Sequence, residues 1–381
     1  MDSNLRKYLI INSIPAFSFI TILLSPMYAS KIGLNVYEAS IVFSVVYGIQ
    51  AILTFALGHF FEKKSPNYGL AAGRLLFAIG NIILAFAFNS YIYLIAQIVI
   101  GSIDIFWPLV SMYERAIVPP NKREKFYFLL PLISEFVKVL LFVPIIFFMD
   151  YDKTSLNFYR NVFLSVSALN ILYAVLMVKY LPFVKSGSDL HEEHMEIHKP
   201  NIKKYITVLL NQIIFFANFG FGSYLIISYY IKDILNADAK VMLTYEVAFS
   251  LTVLTSVLWK KYIKLKNEDA IVIGTFIMSL FYAMLLVKGW IPFYFSHVLL
   301  GIGFVLWISS KEPLKQEYAP VNFGRYEGLF NGIQLFSKIF TPVAAGYIAS
   351  QYSYDMVFTI SFIVLFANSI ITFFGLRYPS R

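Results

Sequence analysis

The sequence predicts an all-α integral membrane protein, twelve transmembrane helices in two six-helix bundles related by a parallel internal repeat. Three observations predict it: a composition too apolar for water, twelve apolar runs of bilayer length, and a near-constant offset between the two halves. Of the 381 residues, 59% are hydrophobic and 14% are charged. Average soluble domains hold roughly 45–50% apolar and about 25% charged residues. The difference excludes a water-soluble globule, a disordered chain and a nucleic-acid-binding domain. A membrane β-barrel is excluded too, because its strands alternate apolar and polar residues whereas these runs are continuously apolar.

The runs cover 8–29, 38–60, 69–88, 91–113, 126–149, 158–180, 205–230, 241–262, 270–287, 290–310, 327–349 and 355–376. Each is close to the ~20 residues that cross a bilayer. The first follows Arg6 and Lys7 as a signal peptide would, but it is too long and lacks a small-residue cleavage site, so it is expected as a retained helix. Basic residues set the orientation. With the N-terminus inside, the tails and even-numbered loops hold twenty-one Lys and Arg, against five in the odd loops. Both termini are therefore expected on the cytoplasmic side of the cell membrane, and the net charge of +9 becomes mostly a cytoplasmic rim. The expected organisation is bundle 1–180, cytoplasmic linker 181–204 and bundle 205–381.

A shift of about 200 residues, the signature of parallel repeats, pairs Gly101 with Gly301, Trp107 with Trp307, Pro120 with Pro320 and Lys138 with Lys338. One residue more pairs Tyr28 with Tyr229, Leu34 with Leu235, Asn35 with Asn236 and Gly73 with Gly274. Rare residues in matching places make chance a poor account of the offset.

Two stretches carry a family resemblance. Gly58-His59-Phe60-Phe61-Glu62-Lys63-Lys64 follows the second span, and GRYEGLFNGIQLFSKIFTPVAAGYIA runs from Gly324 to Ala349. The chain resembles the major facilitator superfamily over essentially its whole length. The first stretch is similar to that family's G-x-L-A-D-R-x-G-R loop, with Gly58, Glu62 and Lys63 in matching places as a cytoplasmic gating loop; the second glycine and the distal basic residues are missing. The second stretch is similar to the loop into helix 11. Gln97 stands where an Arg is common, and the fifth span, LLFVPIIFFM, lacks the antiporter signature. Both departures weigh against a drug/proton antiporter. The resemblance implies two bundles alternating access to a midplane site, with helices 1, 4, 7 and 10 lining the cavity.

Charges inside spans are costly unless they face a cavity or a partner. Asp104, Glu135 and Lys138 lie at similar depth in the fourth and fifth spans and are expected to meet at one level. Asp104 and Glu135 are the candidate proton carriers; a structural Glu135–Lys138 pair at i, i+3 is the alternative. Lys338 lies mid-span on a stripe with Glu327, Asn331, Gln334 and Thr341, spaced as a helix face. Glu246 sits towards the outer end of its span, so no midplane acid is expected beside Lys338 in its own half. Lys338 and Lys138 are the candidate contacts for an anionic solute, with Gln334 and Asn331 beside them. Asn211, Asn218, Trp107 and His297 complete the expected substrate-binding set. Milder polar stripes run along Ser18/Thr21/Ser25 and Gln97/Gly101/Asp104.

With no cysteine, thiolate chemistry is excluded. No nucleotide-binding or hydrolase motif is present, and the HEEH of the linker is one residue short of a zinc motif. No cofactor is expected. The expected function is a monomeric secondary transporter of a small solute, an organic anion on the strength of Lys338, with H+ as the candidate coupling ion. A drug exporter of the same fold is the alternative, ahead of a lipid-modifying enzyme or a channel.

Overall fold

Hydrocarbon offers no partner for backbone N–H and C=O groups, so apolar runs of this length must close their hydrogen bonds internally as helices. The computed structural model describes residues 3–62, 66–106, 109–110, 113–114, 117–119, 122–149, 155–184, 201–260, 262–263, 265–318 and 323–377, and among these there is no strand. In chain order the helices are α1 (Ser3–Ser13), α2 (Phe19–Lys31), α3 (Val36–Glu62), α4 (Pro66–Ala85), α5 (Ser90–Gly101), α6 (Arg123–Phe148), α7 (Leu156–Tyr180), α8 (Ile202–Phe221), α9 (Tyr224–Asp233), α10 (Ala239–Trp259), α11 (Asn267–Leu285), α12 (Trp290–Tyr318), α13 (Phe323–Gln351) and α14 (Tyr354–Arg377). Ten helical stretches among the described residues are long and apolar enough to cross a membrane. The other two expected runs fall on Ser90–Phe106, which is shorter, and within α13.

Local chemistry marks the ends. Asn89 caps α5 through Ile92 N–H, Ser155 caps α7 through Phe158 N–H, and Asn201 caps α8 through Lys204 N–H. Asn35 and Glu38 bond reciprocally at the start of α3. Pro15 tightens the first run into a 3-10 turn, Ile14–Ser18, between α1 and α2. The α2 helix closes on Gly33, whose φ of 95° lies in the left-handed region. Leu34 N–H then reaches back to Ala29 C=O, just as Leu235 N–H reaches Tyr230 C=O beside Asn236 (φ 50°). The two helix ends are 201 residues apart.

The chain falls into two compact units, Met1–Glu193 with Ser228–Leu243, and His194–Ile227 with Thr244–Arg381. Thus part of α9 and the start of α10, in the second half of the sequence, belong to the first unit. Tyr229 donates to Leu34 C=O at 2.8 Å and Lys240 Nζ to Met149 C=O at 3.0 Å there. In the first unit Leu5, Tyr8, Leu70, Leu109, Phe126 and Tyr173 form a buried cluster. Elsewhere large apolar side chains face outward, Phe147 and Phe148 at 81% and 90% exposure. In a lipid solvent such exposure carries no penalty.

Where helices cross closely, the reason is a missing side chain. A Cβ on Gly274 of α11 would lie 2.8 Å from Gly303 C=O and 2.8 Å from Trp307 N–H nitrogen on α12. In the first unit a Cβ on Gly73 of α4 would meet Phe106 at 3.1 Å and Ile103 at 3.5 Å. Gly73 and Gly274, an offset pair, each face the next span, Gly73 across side chains and Gly274 across backbone. The polar stripe Ser18/Thr21/Ser25 is buried and bonded within its unit: Ser18 to Asn170, Thr21 to Asn81, and Ser25 C=O to the Tyr93 hydroxyl. It ties helices of the first unit together.

Candidate functional site

In the second unit, Tyr224, Glu246 and His297 come together from α9, α10 and α12. The Tyr224 hydroxyl donates to Glu246 Oε2 at 2.8 Å, and His297 Nε2 lies 3.5 Å from the same oxygen. Both ionisable side chains are 0% exposed. Aromatic rings wall the pair: the Tyr245 ring centroid is 3.6 Å from the imidazole, with Phe249 and Phe281 at 5.6 and 5.8 Å. Tyr245 is itself held by Ser296 at 2.8 Å. A carboxylate in such a dry, apolar enclosure is costly unless a proton or a cation neutralises it. An imidazole beside it supplies either, so the pair can store one proton at zero net charge.

The enclosure abuts a break in the seventh span. The α8 helix ends at Gly222, whose N–H closes on Asn218 C=O at 2.8 Å, and α9 begins two residues later. A Cβ on Gly222 would clash with the Tyr282 ring and lie 2.8 Å from Ser361 Oγ, so only glycine fits. Tyr282 donates to the Gly222 carbonyl at 3.2 Å. Asn218 Nδ2, Ser223 Oγ and Ser361 Oγ are buried around this break with no hydrogen-bond partner among the described residues. Buried polar groups are normally paired. These three therefore make Asn218 a continuing candidate for a solute contact.

Lys338 sits on the face of α13 that packs on α8. Gln212 Nε2 donates to Gln334 Oε1 at 3.1 Å, and Lys338 Nζ lies 5.3 Å from the Phe216 ring centroid. A Cβ on Gly220 would lie 2.7 Å from Thr341 Oγ1. The stripe 334/338/341 thus meets α8 at 212, 216 and 220, one turn at a time. Asn331 and Glu327 carry side chains outside the described residues, and Trp107 and Lys63 lie wholly outside them. Gly58 and Glu62 fall on the last turns of α3, whose surroundings are not described. The linker histidines also lie outside; among the described residues no cluster of His, Asp and Glu is arranged to hold a metal.

Asn211 corrects an expectation. It is 1% exposed and every polar atom of its side chain is engaged. Its Nδ2 donates to Thr275 Oγ1 at 3.1 Å and Thr372 Oγ1 at 2.9 Å, while Oδ1 accepts from Trp307 Nε1 at 2.7 Å. Its carbonyl accepts from Asn368 Nδ2 at 3.1 Å. Asn211 ties α8, α11, α12 and α14 together and has nothing left for a solute. Asn211→Leu strands the Trp307 indole N–H, while Thr275 and Thr372 keep their bonds to Ile271 and Asn368 C=O, at a cost of about 1–2 kcal/mol where an unpaired buried group costs ~1–3 kcal/mol and membrane hydrogen bonds less. A lowered Tm in detergent is the expected result; an unchanged Tm would refute the hub.

The first unit holds Glu135 and Lys138 as a buried ion pair at 2.8 Å, with Lys138 Nζ 4.3 Å over the Phe19 ring. Asp104 lies on the 3-10 stretch Ser102–Phe106, exposed, where its charge acts on Tyr47 and Arg74. A buried carboxylate that the sequence did not single out is Glu114, which accepts from Tyr8 at 2.9 Å and Tyr127 at 3.3 Å. Glu246 was equally unremarked as a partner of His297. No periodicity links residues 51 or 106 positions apart, so neither pairing left a signal in the chain.

Comparison with known proteins agrees with this architecture. No curated relative matches by sequence. Among solved structures, the xylose transporter XylE from E. coli superposes with a TM-score of 0.72 at 14% identity, covering 99% of this chain and 98% of that one. The human organic anion transporter MFSD10 gives 0.68 at 11% identity, covering 97% and 98%. The nucleoside transporter NupG gives 0.68 at 13% identity, covering 98% and 100%. At such identities these likenesses speak to the fold alone. The sequence model of the Major Facilitator Superfamily matches residues 9–311. With that match spanning well over half of its length, this multi-pass membrane protein belongs to the Major Facilitator Superfamily.

Proposed function

We propose that the protein is a proton-coupled secondary transporter of a small organic anion in the cell membrane, with both termini cytoplasmic. The observation that carries the proposal is the fully buried Glu246–His297 pair at 3.5 Å, with Tyr224 on the same carboxylate oxygen. Such a pair holds one proton in a place where water cannot exchange it until the surroundings move. Tyr224 lies directly after the Gly222 break, so a change of angle between α8 and α9 would withdraw its hydroxyl and alter the hold on the proton. That links proton release to a conformational step. Glu135, already clasped by Lys138, is less suited to the task, and Asp104 is exposed. On this proposal they position and gate.

The solute class rests on Lys338. Relatives of this fold are described as carrying an organic anion, xylose and nucleosides, and an ammonium at the α8–α13 interface favours the first class. Purified protein in liposomes tests the proposal. An acid-outside gradient is expected to drive accumulation of a radiolabelled carboxylate above equilibrium, and a protonophore to abolish it. Uptake indifferent to the gradient would refute proton coupling. Absence of saturable counterflow across carboxylates, xylose and uridine would refute the transporter.

A further inference from the structure

We infer that residues 224–246 form a coupling hairpin, whose docking in the first unit through Tyr229 and Lys240 sets whether the Glu246–His297 pair at its root stays closed. This rests on the proton-storing role proposed above for that pair and names what controls it. The hairpin is α9, a turn and the start of α10, and nested bonds join its two arms. At the root Tyr224 donates to Glu246 Oε2 at 2.8 Å, and about one turn on the Ser228 hydroxyl donates to Met242 Sδ at 3.9 Å. Ala237 N–H closes on Ile231 C=O at 3.0 Å around Asn236, whose φ is 50°.

The tip of the hairpin reaches carbonyls at helix ends, where an α-helix has no internal partner for its last C=O groups. Met149 caps the end of α6, Leu34 follows the end of α2, and both are buried. Lys240 Nζ donates to Met149 C=O at 3.0 Å, so its ammonium also meets the negative end of the α6 dipole. The Tyr229 hydroxyl donates to Leu34 C=O at 2.8 Å. Tyr28, the repeat mate of Tyr229, donates instead to Ala87 C=O at 2.6 Å within its own half, so the repeat alone does not produce the docking bond. Each arm thus carries one docking residue and one residue of the proton cluster: Tyr229 and Tyr224 on α9, Lys240 and Glu246 on α10. They stand about 8 and about 9 Å apart along their helices, at 1.5 Å per residue. No proline or glycine lies between them to absorb a bend, so a displacement of the tip is carried to the root. There the Tyr245 ring stacks on Phe293 of α12 at 4.2 Å and its hydroxyl meets Ser296 at 2.8 Å, with His297 next in the chain. When the tip leaves Leu34 and Met149, Glu246 shifts against His297 and the proton loses its enclosure.

The test uses the full-length protein in liposomes, and the chain has no cysteine of its own. Leu34→Cys places a single thiol at a position 6% exposed in the docked state, and a charged maleimide reads its opening. In that background Tyr229→Phe should speed labelling about two- to tenfold, the worth of one hydrogen bond, and lower proton-driven accumulation by a similar factor. Lys240→Met should do the same. Lys240→Arg, which can still donate to Met149 C=O, should restore both readouts and serves as the folding control. Coupling between two sites is reciprocal, so Tyr224→Phe at the root should also speed labelling at position 34. Faster labelling with full accumulation would overturn the inference, because the tip would then move without the proton site. Labelling unchanged in both Tyr229→Phe and Lys240→Met would overturn it as well. Wild-type liposomes that accumulate nothing under an acid-outside gradient would refute proton coupling itself. In that case the hairpin linkage stands if Tyr224→Phe speeds labelling at position 34, and falls if it does not.

Discussion

Liposomes carrying Glu246→Gln are expected to lose proton-driven accumulation of solute completely while keeping solute exchange at equal pH. The amide retains the shape of the carboxylate and still accepts from Tyr224, now 2.8 Å from Oε2, so the enclosure is preserved. What it cannot do is lose a proton. Glu246 and His297 are both 0% exposed, and a single buried charge there is held at a cost of several kcal/mol. On the proposal above, the wild type avoids the cost by keeping one proton on the pair. In Glu246→Gln the site is permanently neutral with an uncharged imidazole, so the step that returns an empty, deprotonated carrier is no longer distinguished. Exchange does not require that step. His297→Gln should likewise uncouple, because the remaining carboxylate has no buried base beside it. Tyr224→Phe removes a hydrogen bond without removing the titrating groups, and it should weaken accumulation only in part. Full accumulation by Glu246→Gln would move the proton site elsewhere, Glu135 being the next candidate.

The fold was largely legible because a bilayer imposes its constraint segment by segment. Runs expected at 158–180, 270–287 and 355–376 are observed as Leu156–Tyr180, Asn267–Leu285 and Tyr354–Arg377. The end corrections come from caps such as Ser155, whose contribution is local and small. Interruptions were harder to see. The run 205–230 is two helices, because Gly222 meets the Tyr282 ring and Ser361 Oγ across helices that are distant in sequence. Hydropathy averages over such a break. The run 91–113 likewise passes into 3-10 geometry after Gly101.

Sites were legible only to the level of depth in the membrane. Counting residues from a span end placed Lys338, Gln334 and Thr341 on one helix face, and they do share the contact with α8. Counting could not say which polar groups are already spoken for. Asn211 and Asn218 stand seven residues apart on one helix, equally deep and equally polar in the sequence. One is saturated by Thr275, Thr372 and Trp307, whereas the other has a buried amide nitrogen with no partner among the described residues. The same blindness hid Glu246. Set towards the end of its run it looked peripheral, but the wall around it is built by side chains of α9, α11 and α12. Tertiary contacts decide between a structural polar residue and a working one, and period and depth do not encode them.

The crossing of α11 and α12 should be the least forgiving position in the protein. A Cβ on Gly303 would fall 2.6 Å from Met278 Cγ, 2.7 Å from Gly274 C=O and 2.9 Å from Met278 N, and one on Gly274 would meet Gly303 C=O and Trp307 N at 2.8 Å. A long side chain can rotate out of such a clash; a helical backbone cannot, so the two helices must separate along their length. Overpacking by one methyl group already costs ~1–3 kcal/mol in a tight interior. Gly303→Val adds two further carbons to a gap with no room for the first. The displaced helix would be α12, which carries His297 and Trp307, and the loss would reach both the Glu246–His297 pair and the Asn211–Trp307 bond. The expected result is no monodisperse protein from Gly303→Val or Gly274→Val, and a clearly lowered Tm from Gly303→Ala. Gly332→Ala on α13, where a Cβ meets nothing within 4 Å, is the matched control. It should hold or gain stability, since glycine within a helix costs roughly 0.5–1 kcal/mol relative to alanine. A Gly303→Val protein that purified with an unaltered Tm would mean that α11 and α12 do not touch at this crossing.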